Sequence, residues 1–200
     1  MNYFWIEKLV GDVRNYQDLT HPEGNFKVID CQRAIFHRGQ GMAEDWHIVG
    51  PNRGGVGFDV LWLYGLRQRG GFTPMAAWTE LSKPSSAIAF VMGGDNTDGY
   101  AEFIVDETSI GSFNLYRDYE RNQDFHDPNN PNRETKRALV VYNLKSDVRH
   151  KLTVSLAGNK RPESRGYDAH IYGGLALDGP YSDPHLICGS PGQAVIAPPA

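Results

Sequence analysis

The stretch AIAFVMGGDNTDGYAEFIVD, residues 87 to 106, limits the fold of this chain more than any other. Ala87 to Met92 is an apolar run too short for a helix. Gly93 to Gly99 is turn chemistry ending in Asp98-Gly99, and Tyr100 to Val105 alternates polar and apolar side chains with the period of a strand. Two such runs around a Gly/Asn/Asp segment predict a β-hairpin.

Similar runs recur along the chain. SIGSFNLY (109 to 116), RALVVYN (137 to 143) and HKLTVSLAG (150 to 158) read as strands, the last with Leu152, Val154 and Leu156 on one face. A turn at 144 to 148 separates the second from the third. Residues Tyr167 to Leu177 read as a strand broken by Gly173-Gly174, and FKVIDCQRAIFH (26 to 37) and VGFDVLWLYG (56 to 65) read as earlier strands. The polar segment 117 to 136 predicts a long exposed loop. Helix signals are weak; residues 2 to 19 have room for an amphipathic turn or two, interrupted by Gly11. Short strands about ten residues apart, joined by Gly, Asn and Asp turns, predict an all-β fold, an antiparallel β-sandwich of jelly-roll type. The 200 residues suit one domain over 1 to 189, with a Pro- and Ala-containing tail or linker at 190 to 200.

A net charge of −4 gives no bulk attraction to nucleic acid or anionic membranes, and no run of about 18 apolar residues offers a transmembrane helix. The opening residues Met1 to Lys8 lack the pattern of a secretion signal. Cys31 and Cys188 would form one disulfide if the first and last strands are neighbours, or remain two buried thiols.

Sugar recognition needs flat aromatic faces with polar groups at the ring edge. Tyr116, Arg117, Tyr119, Gln123, Asp124, Phe125 and His126 supply that mixture in the long loop, and Arg165, Tyr167 and Asp168 supply a second set. The competing reading packs the tyrosines on the sandwich edge and leaves the charges solvated. Asp95, Asp98 and Asp106 offer oxygen ligands for calcium, without EF-hand spacing. DFHD (124 to 127) lacks a second histidine at metal-ligand spacing. CGSPG (188 to 192) is not a nucleophile elbow, and GPNRGGVG (50 to 57) lacks the Lys-Ser/Thr of a phosphate loop. Glu44, Asp45 and Asp59 are the carboxylates available for a glycosidase pair. Trp46, Trp62 and Trp78 are expected in the core.

VDETSIGSFNLY (105 to 116) and residues 137 to 178 resemble the galactose-binding-domain-like jelly rolls of bacterial carbohydrate-binding modules. The matching positions are Val105-Asp106, Gly111 at the turn exit, Leu115-Tyr116, the H-x-L-x-V step from His150 to Val154, and Lys160, Pro162, Ser164, Gly166 and Tyr167. The likeness covers residues of about 85 to 178. It departs at Glu107, where that turn usually has glycine, and at His170-Ile171-Tyr172-Gly173, in place of a V-D-A-F ending. The resemblance implies a sandwich that binds a glycan through loops or a concave face, often with a structural calcium ion and no other cofactor.

The expected function is therefore a non-catalytic, extracellular carbohydrate-binding module with no nucleic-acid partner and no membrane insertion. The Gly-, Arg- and Trp-rich segment 38 to 71 motivates an alternative: a structural or attachment protein, such as a virion decoration, fibre or tail component, using the jelly roll for a homo-oligomer or larger assembly.

Overall fold

A computed structural model describes residues 1–37, 42–50, 60–65, 67–68, 71–73, 75–118 and 136–182. Its strands are β1 Asn2–Leu9, β2 Asp18–His21, β3 Gly24–Arg33, β4 Phe36–His37, β5 Met42–Ala43, β6 His47–Val49, β7 Leu61–Leu63, β8 Arg67–Gln68, β9 Gly71–Phe72, β10 Ala76–Glu80, β11 Ala87–Met92, β12 Tyr100–Val105, β13 Thr108–Asn114, β14 Lys136–Tyr142, β15 Lys151–Leu156 and β16 Ala169–Tyr181. One 3-10 turn, Val13–Asn15, is the only helical element among the described residues, and none of their helices is long and apolar enough to cross a membrane.

The larger sheet runs β1-β14-β11-β16-β3-β2, with β7 also on β16; the smaller runs β13-β12-β15-β10-β6. From β10 onward the chain changes sheet at every step except the β12–β13 hairpin. Two antiparallel four-strand units, β3-β16-β11-β14 and β10-β15-β12-β13, therefore face one another, which is the two-sheet jelly roll the strand spacing predicts.

Between the sheets lie Phe90, Met92, Phe103, Leu139, Val141, Leu152 and Val154, all fully buried. The outer face of the larger sheet carries a second cluster that includes Ala87, Ala89, Val91, Val140, Leu175 and Leu177, covered by the N-terminal segment through Ile6, Val13 and Tyr16. Edge strands β1 and β13 meet through Tyr3, Trp5 and Phe113, with ring centroids 5.4 and 5.6 Å apart, closing that side toward a barrel.

Three expectations change. Residues 87 to 106 give the expected two strands but not a hairpin. β11 pairs with β14 and β16, β12 pairs with β13 and β15, and Gly93–Gly99 crosses between sheets. The burial patterns show why: every residue of β11 is buried, because its sheet is covered on both faces, whereas β12 alternates and presents one face to solvent. Residues 2 to 9 form a strand rather than a helical turn, since Trp5 turns to the inter-sheet core while Phe4 and Ile6 turn to the outer cluster. Finally, β16 runs through Gly173-Gly174 without a break. A Cβ at Gly173 would stand 2.8 Å from the Gln32 carbonyl oxygen, so the glycine admits β3 rather than ending the strand.

The β12–β13 hairpin turns at Asp106 and Glu107, with φ of 48° and 69°, the left-handed pair of a type I′ turn. Gly111, φ 142°, follows a bulge within β13 rather than standing at the turn exit.

Candidate functional site

The segment 93 to 99 is the hub at one end of the sandwich. The Arg117 N–H donates to the Asp95 carbonyl (3.0 Å), the Arg165 N–H to the Asn96 carbonyl (2.7 Å) and the Asp168 N–H to the Thr97 carbonyl (3.1 Å). Both loops expected to carry sugar-recognition residues are thus bonded to the same turn. Gly65 joins them from the end of β7: its N–H donates to Asp168 Oδ1 (2.9 Å), and a Cβ there would lie 2.3 Å from the Cβ of Tyr167. Only glycine allows so close a crossing.

Beneath the hub lies a charged cluster. Asp95, Asp98, Asp168 and His170 are 5%, 0%, 7% and 1% exposed. His170 Nδ1 is 2.8 Å from Asp98 Oδ1, and His170 Nε2 is 3.7 Å from Asp95 Oδ2. The other Asp95 oxygen accepts from the Thr97 N–H and Oγ1, both at 2.7 Å, and Asp168 Oδ2 accepts from Trp62 Nε1 at 3.1 Å. Asp98 and Asp168 also bridge in parallel through their backbones. Burial pushes the Asp98 carboxyl up to about 7, against the opposing pull of His170, and raises Asp168 as well. The ring of Trp62 lies between His170 and Tyr64, at 5.0 and 4.3 Å, forming an aromatic column from the buried imidazole to a half-buried tyrosine.

The remaining predicted residues take different places. Tyr116 is half-buried, with its hydroxyl on Asp118 and the Arg161 guanidinium 5.9 Å from its ring. Arg117 pairs with Glu7 at 2.9 Å. Arg165 is exposed, and Tyr167 packs on Phe72 at 5.7 Å with Lys160 over its ring. Glu44 pairs with Arg33, and Asp45 accepts from the Arg33 N–H. Trp46 is core as expected, whereas Trp62 and Trp78 are half-buried. Tyr119, Gln123, Asp124, Phe125, His126, Asp59 and Cys188 lie outside the described residues. Cys31 sits on β3, and burial pushes its thiol up to about 12.

Asp106 does not join Asp95 and Asp98. It follows the far end of β12, roughly 20 Å away at the rise of a six-residue strand, and binds His150 Nδ1 (2.6 Å) and the Lys151 N–H (2.9 Å). The three carboxylates read as a calcium set thus fall in two places. The set that assembles among the described residues, Asp95, Asp98 and His170, includes an imidazole and offers fewer oxygens than calcium's usual six to eight.

Sequence reasoning passed over His170, Trp62 and Tyr64 as site residues. A usable signal was present: Trp62 and Tyr64 are two apart, the spacing that shares one side of a strand, and His170 is the one histidine in a run of apolar residues, glycines and a tyrosine. No protein-family model matches the chain, and no curated protein matches it in sequence.

Proposed function

We propose that the chain is a non-catalytic glycan-binding module of the extracellular type whose site is the hub end of the jelly roll. The observation that carries this reading is the meeting of both polar–aromatic loops on segment 93 to 99. It places the half-buried rings of Tyr64 and Tyr116 and the exposed Arg161 and Arg165 around one framework. Aromatic faces suit the apolar side of a pyranose and guanidinium groups suit its hydroxyls or an acidic substituent. The buried carboxylates suit a supporting frame, since each is more than nine-tenths buried and held by hydrogen bonds, away from any glycosidic bond at the surface.

A glycan array followed by calorimetry tests the reading. Arg165→Ala and Tyr64→Ala are each expected to weaken a retained glycan at least tenfold. The assembly alternative draws support from Tyr3 and Val49, 50% and 51% exposed on the outermost strands β1 and β6. A silent array together with a large particle in light scattering would replace the glycan reading with that one.

A further inference from the structure

Two buried carboxylates, Asp95 and Asp98, flank the His170 imidazole at the hub, and the buried Asp168 lies two residues away along the chain. Among the described residues, the basic side chain within ion-pairing reach of Asp95 and Asp98 is His170. A buried carboxylate stays ionised only against positive charge, which a cation between Asp95 and His170 would supply. The Asn96 Oδ1 atom, in the same turn, is also buried without a hydrogen-bond partner.

The geometry offers a remedy. With Asp98 ionised, its Oδ1 accepts the Nδ1–H of His170, the outer carboxylate contact that fixes a metal-binding tautomer and leaves Nε2 as the donor atom. Asp95 is held by one oxygen through Thr97, so the other faces Nε2 across 3.7 Å. Two ligands of one zinc-sized ion, each bound at about 2.0–2.2 Å, stand roughly 3.4 Å apart at a tetrahedral angle, within a few tenths of an ångström of that gap. Ligand atoms of Asp95, Asp98 and His170 all lie within 4.8 Å of one another.

We propose that His170 Nε2 and Asp95 Oδ2, with Asp98 orienting the imidazole, bind a divalent first-row transition cation such as Zn²⁺ or Mn²⁺. An imidazole in the donor set favours such ions over calcium. The site locks segment 93 to 99, which both neighbouring loops lean on, so the cation is structural and stiffens the hub end.

The test uses the full chain, stripped with a chelator and titrated with Zn²⁺, Mn²⁺ and Ca²⁺ by calorimetry, with the unfolding midpoint followed in parallel. One equivalent of Zn²⁺ or Mn²⁺ is expected to bind and raise the midpoint. Asp98→Asn should weaken binding by about 10- to 100-fold, the loss typical of an outer-shell partner, and His170→Gln should abolish it. Binding that survives in His170→Gln and Asp95→Asn would place the ion elsewhere and overturn the proposal, as would tighter binding of Ca²⁺ or no binding at all. If His170→Gln does not fold, Co²⁺ added to the unmodified chain decides. Intense visible bands of a low-coordinate nitrogen–oxygen site support the proposal, and a spectrum matching that of aqueous Co²⁺ contradicts it.

Discussion

Two aspartate–histidine pairs sit at opposite ends of β12 and differ in everything around them. At one end His150, 2% exposed, joins Asp106 at 2.6 Å, and its Nε2 meets the carbonyl oxygens of Ser85 (3.0 Å) and Lys145 (3.2 Å). The ring is encircled by backbone acceptors, and Asp106 still reaches water, its side chain 42% exposed. At the other end His170 joins Asp98 at a similar 2.8 Å, but Asp98 is fully buried, a second carboxylate, Asp95, stands 3.7 Å from Nε2, and Trp62 stacks on the ring. One pair fastens a turn, the β12–β13 hairpin, to the start of β15. The other holds two carboxylates beside one imidazole, out of water. The same two residue types are a fastener where backbone carbonyls meet the second ring nitrogen, and a candidate ligand site where a second carboxylate faces it.

The sharpest way to break this comparison is at the fastener. His150→Ala strands the buried Ser85 carbonyl and part of Asp106, while the Lys145 carbonyl keeps the Val148 N–H, and is expected to cost about 2–4 kcal/mol of folding stability, read from urea unfolding. A loss below 1 kcal/mol would mean that the pair is dispensable. A smaller, opposite effect is expected next door. Glu107 holds φ 69°, a conformation that costs an ordinary L-residue about 1–2 kcal/mol, so Glu107→Gly should stabilise the hairpin by about 1 kcal/mol.

The strands were legible from sequence to a useful depth. Alternation and apolar runs place β11, β12 and β15 nearly to the residue, because side-chain period reports burial directly. Pairing was not legible. The distinction between a hairpin and a sheet crossing at Gly93–Gly99 depends on what covers the outer face of β11, and that cover comes from Ile6, Val13 and Tyr16, far back in the chain. The site shows the same limit. Asp95 and Asp98 stand out as carboxylates in a turn, yet their partner His170 is 72 residues from Asp98, and no spacing in the sequence links the two. Asp106 was grouped with Asp95 and Asp98 by nearness in sequence, and a six-residue strand separates them.

The hub pair also carries a pH dependence. Burial raises Asp98 from its ordinary 3.8 to about 7, so the folded protein holds that proton more tightly than the unfolded chain does. Without metal, this group therefore contributes stability that is fully present below pH 4 and lost as pH rises toward 7.

The most direct measurement is the urea unfolding midpoint of Asp98→Asn and Asp106→Asn at pH 8 with a chelator present. Asparagine keeps the shape of each side chain and removes its charge. The account predicts opposite signs: Asp98→Asn equals or exceeds the unmodified chain, because it removes a buried charge facing two others, while Asp106→Asn falls below it, because a well-placed partner of His150 is lost. Equal losses in the two variants would contradict the account, since both pairs would then be fasteners and the hub end would hold no surplus charge for a ligand to meet.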